Sequence, residues 1–337
     1  MYKTAIYIGR FQPFHNGHLK TVQIALQKAN QLIIAIGSSN RPRTIKNPWT
    51  ELEREDQIKQ VLHAEGIDLS KITFIHNRDY MYNDTHWVSE VYSHALLAGA
   101  TDDKQTMLIG HFKDDSSYYL KMFPKWDLVT VPNFYNANST DVRKNLFEWK
   151  ENNVPVSQEM EKILGTWIMS PEYSTLKEEY DFIQKYKAQF ASLPYPPIFV
   201  TVDTVVIKSG CVLMVKRKHN PGKGLWALPG GFINADEKIV KSAIRELKEE
   251  TKIDIDKPVL ERSIVDVKIF DHPYRSLRGR TITHAHLIDL GIGDLPSVKA
   301  ADDAEMANWI PLSDFYKMED KMFEDHWSIV YSMTSKF

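Results

Sequence analysis

Through the first 150 residues, near-continuous apolar runs of strand length alternate with single helix-length polar segments. Leu32–Ile33–Ile34–Ala35–Ile36 is the clearest of these runs. A run with no polar face suits a strand covered on both sides, as in a parallel sheet. The pattern reads as strand 2–8, helix 19–29, strand 31–36, helix 51–63, strand 71–75, helix 87–98 and strand 106–109. Strands separated by one helix imply right-handed βαβ units, hence a doubly wound α/β domain. Ligands of such sheets bind beyond the carboxyl ends of the strands, so the loops after strands are where chemistry is expected.

The pattern changes further on. Residues 156–190 look helical and rich in Glu and Lys, and Leu193–Pro194–Tyr195–Pro196–Pro197 then forms a stiff connector. Beyond it the chain is β-rich at 198–207, 212–216, 263–270 and 280–289, interrupted by one amphipathic helix at 238–250. The expected organisation is a domain over 1–190 with a helical tail from about 156, a connector at 191–197, and a second domain over 198–337. Charge adds little: 42 Lys+Arg against 44 Asp+Glu gives a net −2, which advertises no nucleic-acid partner. The lone Cys211 excludes an internal disulfide framework and a multi-cysteine zinc site. The amino-terminal apolar run is too short for a signal peptide or membrane span, so a cytoplasmic location with no membrane partner is expected. A homo-oligomer is left open.

The first loop runs Gly9–Arg10–Phe11–Gln12–Pro13–Phe14–His15–Asn16–Gly17–His18 between a strand and a helix. Gly9 and Gly17 permit close backbone approach, and a helix amino terminus offers free N–H groups to phosphate. His15 and His18, three residues apart, can both face the mouth of that helix. Two imidazoles there suit phosphate binding and stabilisation of charge on a transferring phosphorus. The competing reading is a tight turn whose histidines only cap the helix.

This loop resembles the signature of the nucleotidylyltransferase superfamily, and Gly-Arg-Phe-Gln-Pro-Phe-His resembles the archaeal-type nicotinamide mononucleotide (NMN) adenylyltransferases. Ser139–Thr140–Asp141–Val142–Arg143 is similar to the family's second motif, with Asn138 where Ser or Gly is common. Gly37–Ser38–Ser39–Asn40 and Asn47–Pro48–Trp49–Thr50, before Glu53–Arg54, look like the NMN-specific branch. Thr50 with Glu53 is also a capping box in its own right. The resemblance implies adenylyl transfer from ATP to NMN, giving NAD and pyrophosphate, with Mg²⁺ on the triphosphate. It implies His15, His18 and Arg143 as catalytic groups. Gly9, Arg10, Phe11, Gly17, Gly37, Asn47, Gly110, Ser139 and Thr140 would bind substrate, and Trp87 would stack on the nicotinamide. A half-buried tryptophan at a helix start is the alternative for Trp87.

In the second half, Gly231 is followed by Glu237 and then Arg245–Glu246–Leu247–Lys248–Glu249–Glu250. On a helix, Glu246, Glu249 and Glu250 fall within an arc of about 100°, beside an apolar arc of Val240, Ala243, Ile244 and Leu247. Crowded carboxylates need a cation, and hard oxygens suit Mg²⁺ or Mn²⁺. The segment resembles the Nudix box, with Lys252 in place of its final glycine. The resemblance implies Gly230, Glu237, Glu246, Glu249 and Glu250 as metal-holding positions, with Glu249 and Glu250 catalytic and Arg245 an orienting partner. Arg275–Ser276–Leu277–Arg278–Gly279–Arg280 is similar to a segment of ADP-ribose pyrophosphatases, which points to Arg278 and Arg280 as substrate-binding.

The implied fold class is α/β: a doubly wound parallel-sheet nucleotidylyltransferase domain followed by an α+β Nudix-type domain. The two resemblances together suggest a bifunctional enzyme acting on ATP, NMN, NAD and ADP-ribose. The rivals are a Nudix domain that only senses a nucleotide, or one that cleaves another nucleoside diphosphate. His284 and His286 read as sheet residues, Gly222–Lys223–Gly224 as a turn, and Cys211 as structural.

Overall fold

The apolar run 32–36 lies inside a parallel sheet and is covered on both faces, as its composition demands. This sheet belongs to the first of two units, Met1–Lys177 and Glu178–Phe337, in a computed structural model that describes residues 1–112, 115–150 and 155–335. The first unit runs β1 (Tyr2–Gly9), α1 (Asn16–Lys28), β2 (Ala29–Ile36), α2 (Glu51–Ala64), β3 (Ile72–His76), α3 (Asp84–Leu97), β4 (Thr106–Gly110), β5 (Asp127–Thr130), α4 (Ser139–Glu148) and α5 (Gln158–Trp167). Helix α6 (Pro171–Ala188) begins in it.

The strands are ordered β3-β2-β1-β4-β5, all parallel. Leu32, Ile34 and Ile36 pack with Val22, Ala25, Ile58 and Leu62 on one face, while Ile33 and Ala35 meet Val91, Ala95 and Phe123 on the other. The order reverses between β1 and β4, so the loops leaving Gly9 and Gly110 flank the switch-point crevice where such folds bind ligands. Strand β5 was not expected. Its four residues alternate between half-buried and exposed at the sheet edge, too little apolar burial to mark the sequence. The helical stretch 156–190 is two helices, because Pro171 starts a new one.

The second unit contains β6 (Ile198–Lys208), β7 (Cys211–Arg217), β8 (Trp226–Ala227), β9 (Gly230–Phe232), α7 (Ile239–Thr251), α8 (Lys257–Arg262), β10 (Ile264–Phe270), β11 (Arg280–Asp289), β12 (Ala304–Pro311), α9 (Leu312–Phe315) and α10 (His326–Thr334). Its sheet is mixed: β11 runs parallel to β6 and the other pairings are antiparallel. Ile244 and Leu247 of α7 pack with Val206, Leu213 and Ile288, and Ala243 is fully buried. Val240, expected in the same arc, is exposed. Helix α7 ends at Lys252, which takes the left-handed conformation (φ 45°, ψ 30°) that glycine would accept without strain. Among the described residues no helix is long and apolar enough to cross a membrane.

Candidate active sites

The loop after β1 turns sharply at Phe11, a non-glycine residue at φ 52° whose ring is 2% exposed. That ring folds back onto Gly9, where a Cβ would sit 2.7 Å from it, so Gly9 is required by packing. The loop then delivers His15 to the N-cap of α1. His18 donates its backbone N–H to His15 Nδ1 (3.3 Å), and His15 donates its own to His18 Nδ1 (3.2 Å). The two rings stack at 3.6 Å with 15° between planes, and Gly17 gives His15 the room to do so. A ring nitrogen that accepts an N–H carries no proton, so this reciprocal box assigns the proton of each neutral ring to Nε2. Burial, and then the facing His15, hold His18 well below the ordinary histidine pKa. The pair thus caps the helix through both Nδ1 atoms, with His18 held in its neutral form.

Arg143 of α4 comes to the same loop. It is buried, donating to Gln12 O (2.5 Å) and Thr140 Oγ1 (3.2 Å), and burial beside Arg10 pulls its pKa down to about 9. Ser139 donates its hydroxyl to Pro13 O at 3.0 Å, so it fastens α4 to the loop. Asn138 is the N-cap of α4, accepting from Thr140 N–H at 3.0 Å. Thr50 and Glu53 form the expected capping box.

Lys46 was missed, and Arg54 was named in a motif without a role. Lys46 lies among Arg10, Arg41 and Arg143, and burial, with these like charges, brings its pKa down to about 8. Arg54 is 1% exposed and donates to the carbonyls of Arg10 (2.6 Å), Gly37 (2.6 Å), Ser38 (3.0 Å) and Thr50 (3.2 Å). It stitches the loops after β1 and β2 together. Lys46 adjoins Asn47 in the sequence, which was the available signal.

The outlying candidates are less committed to a ligand. Trp87 is half-buried, edge-on to Tyr119 (5.5 Å) and Phe123 (5.9 Å). A Cβ on Gly110 would meet Leu120 at 2.8 Å. Gly37 has ordinary space around it. Asn47 donates its backbone N–H to Thr44 Oγ1 (3.1 Å), in the turn before α2.

In the second unit Arg245 organises the carboxylates of α7. It bonds Glu237 (3.0 Å), Glu246 (2.8 Å) and Glu249 (3.0 Å). Glu237 also accepts from Ser242 Oγ at 2.6 Å, which with Arg245 keeps its carboxyl below the usual range. Strand β9 lies flush against this face: a Cβ on Gly231 would come within 2.7 Å of the Glu246 carboxyl, and one on Gly230 would collide with the Val202 carbonyl. Glu250 takes a separate place. Its Oε2 accepts from Gly230 N–H (3.1 Å), and burial, reinforced by Glu246, pushes its pKa up to about 8.

The expected ligand set is therefore gathered around α7 and β9, with Glu237, Glu246 and Glu249 drawn onto Arg245 and Glu250 bonded to Gly230. Among the described residues no three acidic, histidine or cysteine side chains converge as a ready-made cation cage. The donor chemistry still fits a hard dication, being all oxygen, with one buried carboxyl that ionises at a cost only a nearby cation would offset.

A cleft beside Glu250 is lined by Gly230, Gly231, Arg217 and Arg278, and also by Asp203 and His326. Arg278 stands over the Phe232 ring at 5.1 Å and Arg217 over Phe323 at 4.1 Å. Arg280 is bonded to Asp271 and is not among the lining residues. Arg275 is buried in a bidentate pair with Asp325. Arg217, Asp203 and His326 were missed, for they carry no local motif.

With both sites described, similarity to known proteins separates along the same division. Residues 6–145 match the cytidylyltransferase-like family and residues 197–333 the NUDIX domain. A nicotinamide/nicotinic acid mononucleotide adenylyltransferase of Acinetobacter baylyi is 40% identical over 188 residues, 56% of this chain and 95% of that protein. An ADP-ribose pyrophosphatase of Methanocaldococcus jannaschii is 36% identical over 130 residues, 38% of this chain and 72% of that protein. A bifunctional NMN adenylyltransferase/ADP ribose pyrophosphatase from Francisella tularensis matches end to end, covering 100% of this chain and 99% of that one at 38% identity and a TM-score of 0.95. The same Francisella protein complexed with AMP and a manganese ion matches at a TM-score of 0.94. The chain belongs to the family of bifunctional NMN adenylyltransferase/ADP-ribose pyrophosphatases, a nucleotidylyltransferase domain joined to a Nudix domain.

Proposed function

We propose that the first domain transfers the adenylyl group of ATP to NMN and the second hydrolyses ADP-ribose to AMP and ribose 5-phosphate. The carrying observation is the presence in one chain of a proton-locked histidine pair at a helix N-terminus and a carboxylate helix held by one arginine. In the transfer, an NMN phosphate oxygen bonds to the α-phosphorus of ATP as the bond to the β-phosphate bridging oxygen breaks, releasing pyrophosphate. The Nε2–H groups of His15 and His18 would donate to phosphate oxygens, while Arg10, Lys46 and Arg143 would neutralise charge. Gly9, Phe11, Gly17 and Gly37 would shape the backbone around the phosphates, Asn47, Gly110, Ser139 and Thr140 would contact the nucleotides, and Trp87 would stack on the nicotinamide. None of these residues needs to become covalently attached.

In the hydrolysis, water adds to one phosphorus of the diphosphate and the bridging oxygen leaves with the other. Nudix hydrolysis depends on a divalent metal, and we assign Mg²⁺, with Mn²⁺ as the alternative. Glu246, Glu249, Glu250 and the Gly230 carbonyl would hold it, and Glu237 would act through water. When bound, the cation supplies charge for the diphosphate oxygens and makes a nearby water more acidic. Glu249 and Glu250 would take up the proton, Arg278 would bind the diphosphate, and Arg280 would serve only at the cleft's outer edge.

We further assign the domains to 1–190 and 198–337 with 191–197 between them, a cytoplasmic location, no nucleic-acid partner, and a homo-oligomeric state to be measured. Incubation with ATP, NMN and Mg²⁺, in parallel with ADP-ribose and Mg²⁺, tests the activities by product mass. The expected products are NAD with pyrophosphate, and AMP with ribose 5-phosphate. Unchanged ADP-ribose would favour the sensor alternative.

A further inference from the structure

Three consecutive residues before and at the start of α10 reach three different places in the second unit. Glu324 Oε1 accepts from Leu277 N–H at 3.2 Å. Asp325 takes both arms of Arg275, each at 2.9 Å, with both residues buried. His326 Nδ1 accepts from Leu228 N–H at 2.8 Å, which leaves its Nε2 toward Asp203 at 3.9 Å. The spread is made by a left-handed turn at Glu324 (φ 44°), after Phe323 N–H has bonded to Trp226 O at 2.8 Å.

We infer that Glu324, Asp325 and His326 form a positioning clamp that sets both walls of the hydrolase cleft. The inference rests on reading that cleft as the hydrolase site.

One wall is the segment Leu228–Gly231. Its backbone is fixed at Leu228 by His326 and at Pro229 by Thr204, whose N–H and hydroxyl donate to the Pro229 carbonyl at 2.9 and 3.0 Å. Two residues after Leu228, Gly230 donates to Glu250. His326 therefore sets, through a three-residue segment that bends at Pro229 and is held there by Thr204, where the backbone stands against the carboxylates of α7. The other wall is the loop 275–278, pinned at Arg275 by Asp325 and at Leu277 by Glu324. Between these pins and Phe232 stands Arg278, whose buried Nε has no hydrogen-bond partner. A guanidinium presented in this way suits an anionic oxygen of the substrate.

The clamp thus has two separable effects. His326 acts on the reacting centre, where misplacement by a fraction of an ångström costs rate. Glu324 acts on the loop that carries Arg278, where slack costs binding. A merely structural network would lower stability and shift both kinetic constants alike.

Steady-state hydrolysis of ADP-ribose with Mg²⁺ by the full chain separates the two. His326→Ala is expected to lower kcat about 10- to 100-fold with little change in KM. His326→Asn, whose side-chain oxygen can accept from Leu228 N–H, should recover most of that loss. Glu324→Ala should raise KM about tenfold with kcat nearly unchanged. If His326→Ala is too unstable to assay, the asparagine and Glu324 variants carry the same split: near-wild-type kcat in the first, raised KM in the second. The inference is overturned if the His326 and Glu324 substitutions move the same constant, or if asparagine rescues nothing. Failure of the wild type to hydrolyse ADP-ribose would instead overturn the hydrolase reading itself.

Discussion

Glu250→Gln should make the second unit more stable at high pH and leave it unchanged at low pH. Glutamine keeps an acceptor for Gly230 N–H but removes a charge that the cleft resists, since the carboxyl ionises only near pH 8. A folded-state pKa above the unfolded one means that the native protein holds a proton the unfolded chain has lost. Stability from this group is therefore full below the ordinary carboxylate range and falls as pH rises to about 8. At about 1.4 kcal/mol per pH unit, the gap from the ordinary value sets an upper bound of about 5 kcal/mol. Water entry and reorientation of the side chain reduce it, so about 1–3 kcal/mol is expected at pH 9. The assay is denaturant unfolding of both proteins in EDTA at pH 5, 7 and 9, following the transition that ADP-ribose displaces. The difference should be near zero at pH 5 and grow toward pH 9. A difference independent of pH, or of opposite sign, would refute the reasoning. With Mg²⁺ present the wild type should regain its stability at pH 9, since the ionised carboxylate then has a partner.

Other outcomes follow from single residues. Lys252→Gly should stabilise the second unit by about 1 kcal/mol, because the left-handed cap costs lysine and not glycine; no gain in the unfolding midpoint would contradict the strain argument. Arg54→Ala should cost the first unit about 3 kcal/mol or more, taking the guanidinium from the carbonyls of Arg10, Gly37 and Ser38 while Thr50 keeps its backbone donor, and a loss under about 1 kcal/mol in denaturant unfolding would count against its stitching role. Lys46 is charged below its pKa of about 8, so KM for ATP should rise between pH 7 and 9, while Lys46→Arg should flatten the profile. Parallel pH profiles for the two proteins would remove Lys46 from the phosphate site.

What the sequence disclosed was the local and periodic part of the molecule. Leu32–Ile36 announced a strand covered on both faces, Thr50 and Glu53 announced their capping box, and Lys252 stood out where the resembled box has glycine, at what is the left-handed end of α7. In each case the cause lies within a few residues of the effect. The silent features are long-range. Arg54 belongs to the segment that resembles the NMN-specific branch, but its bonds to carbonyls 44 and 17 residues away are not legible in that segment. His326 is 98 residues from Leu228, and Asp325 is 50 from Arg275. Spacing placed His15 and His18 at one helix mouth, but the choice between capping and phosphate binding was posed too sharply. The structure shows the capping half of that choice directly, through both Nδ1 atoms, and capping of this kind does not exclude a phosphate role for the pair.

The central claim is that two independent chemistries reside at two sites of one chain. Its most direct test is a crossed assay in which His18→Ala and Glu250→Gln proteins are each measured for NAD formation and for ADP-ribose hydrolysis. His18→Ala should lower adenylyl transfer by about 100-fold or more and leave hydrolysis at the wild-type rate. Glu250→Gln should do the reverse. A variant that loses both activities, or neither, would contradict the assignment of these residues to separate active sites.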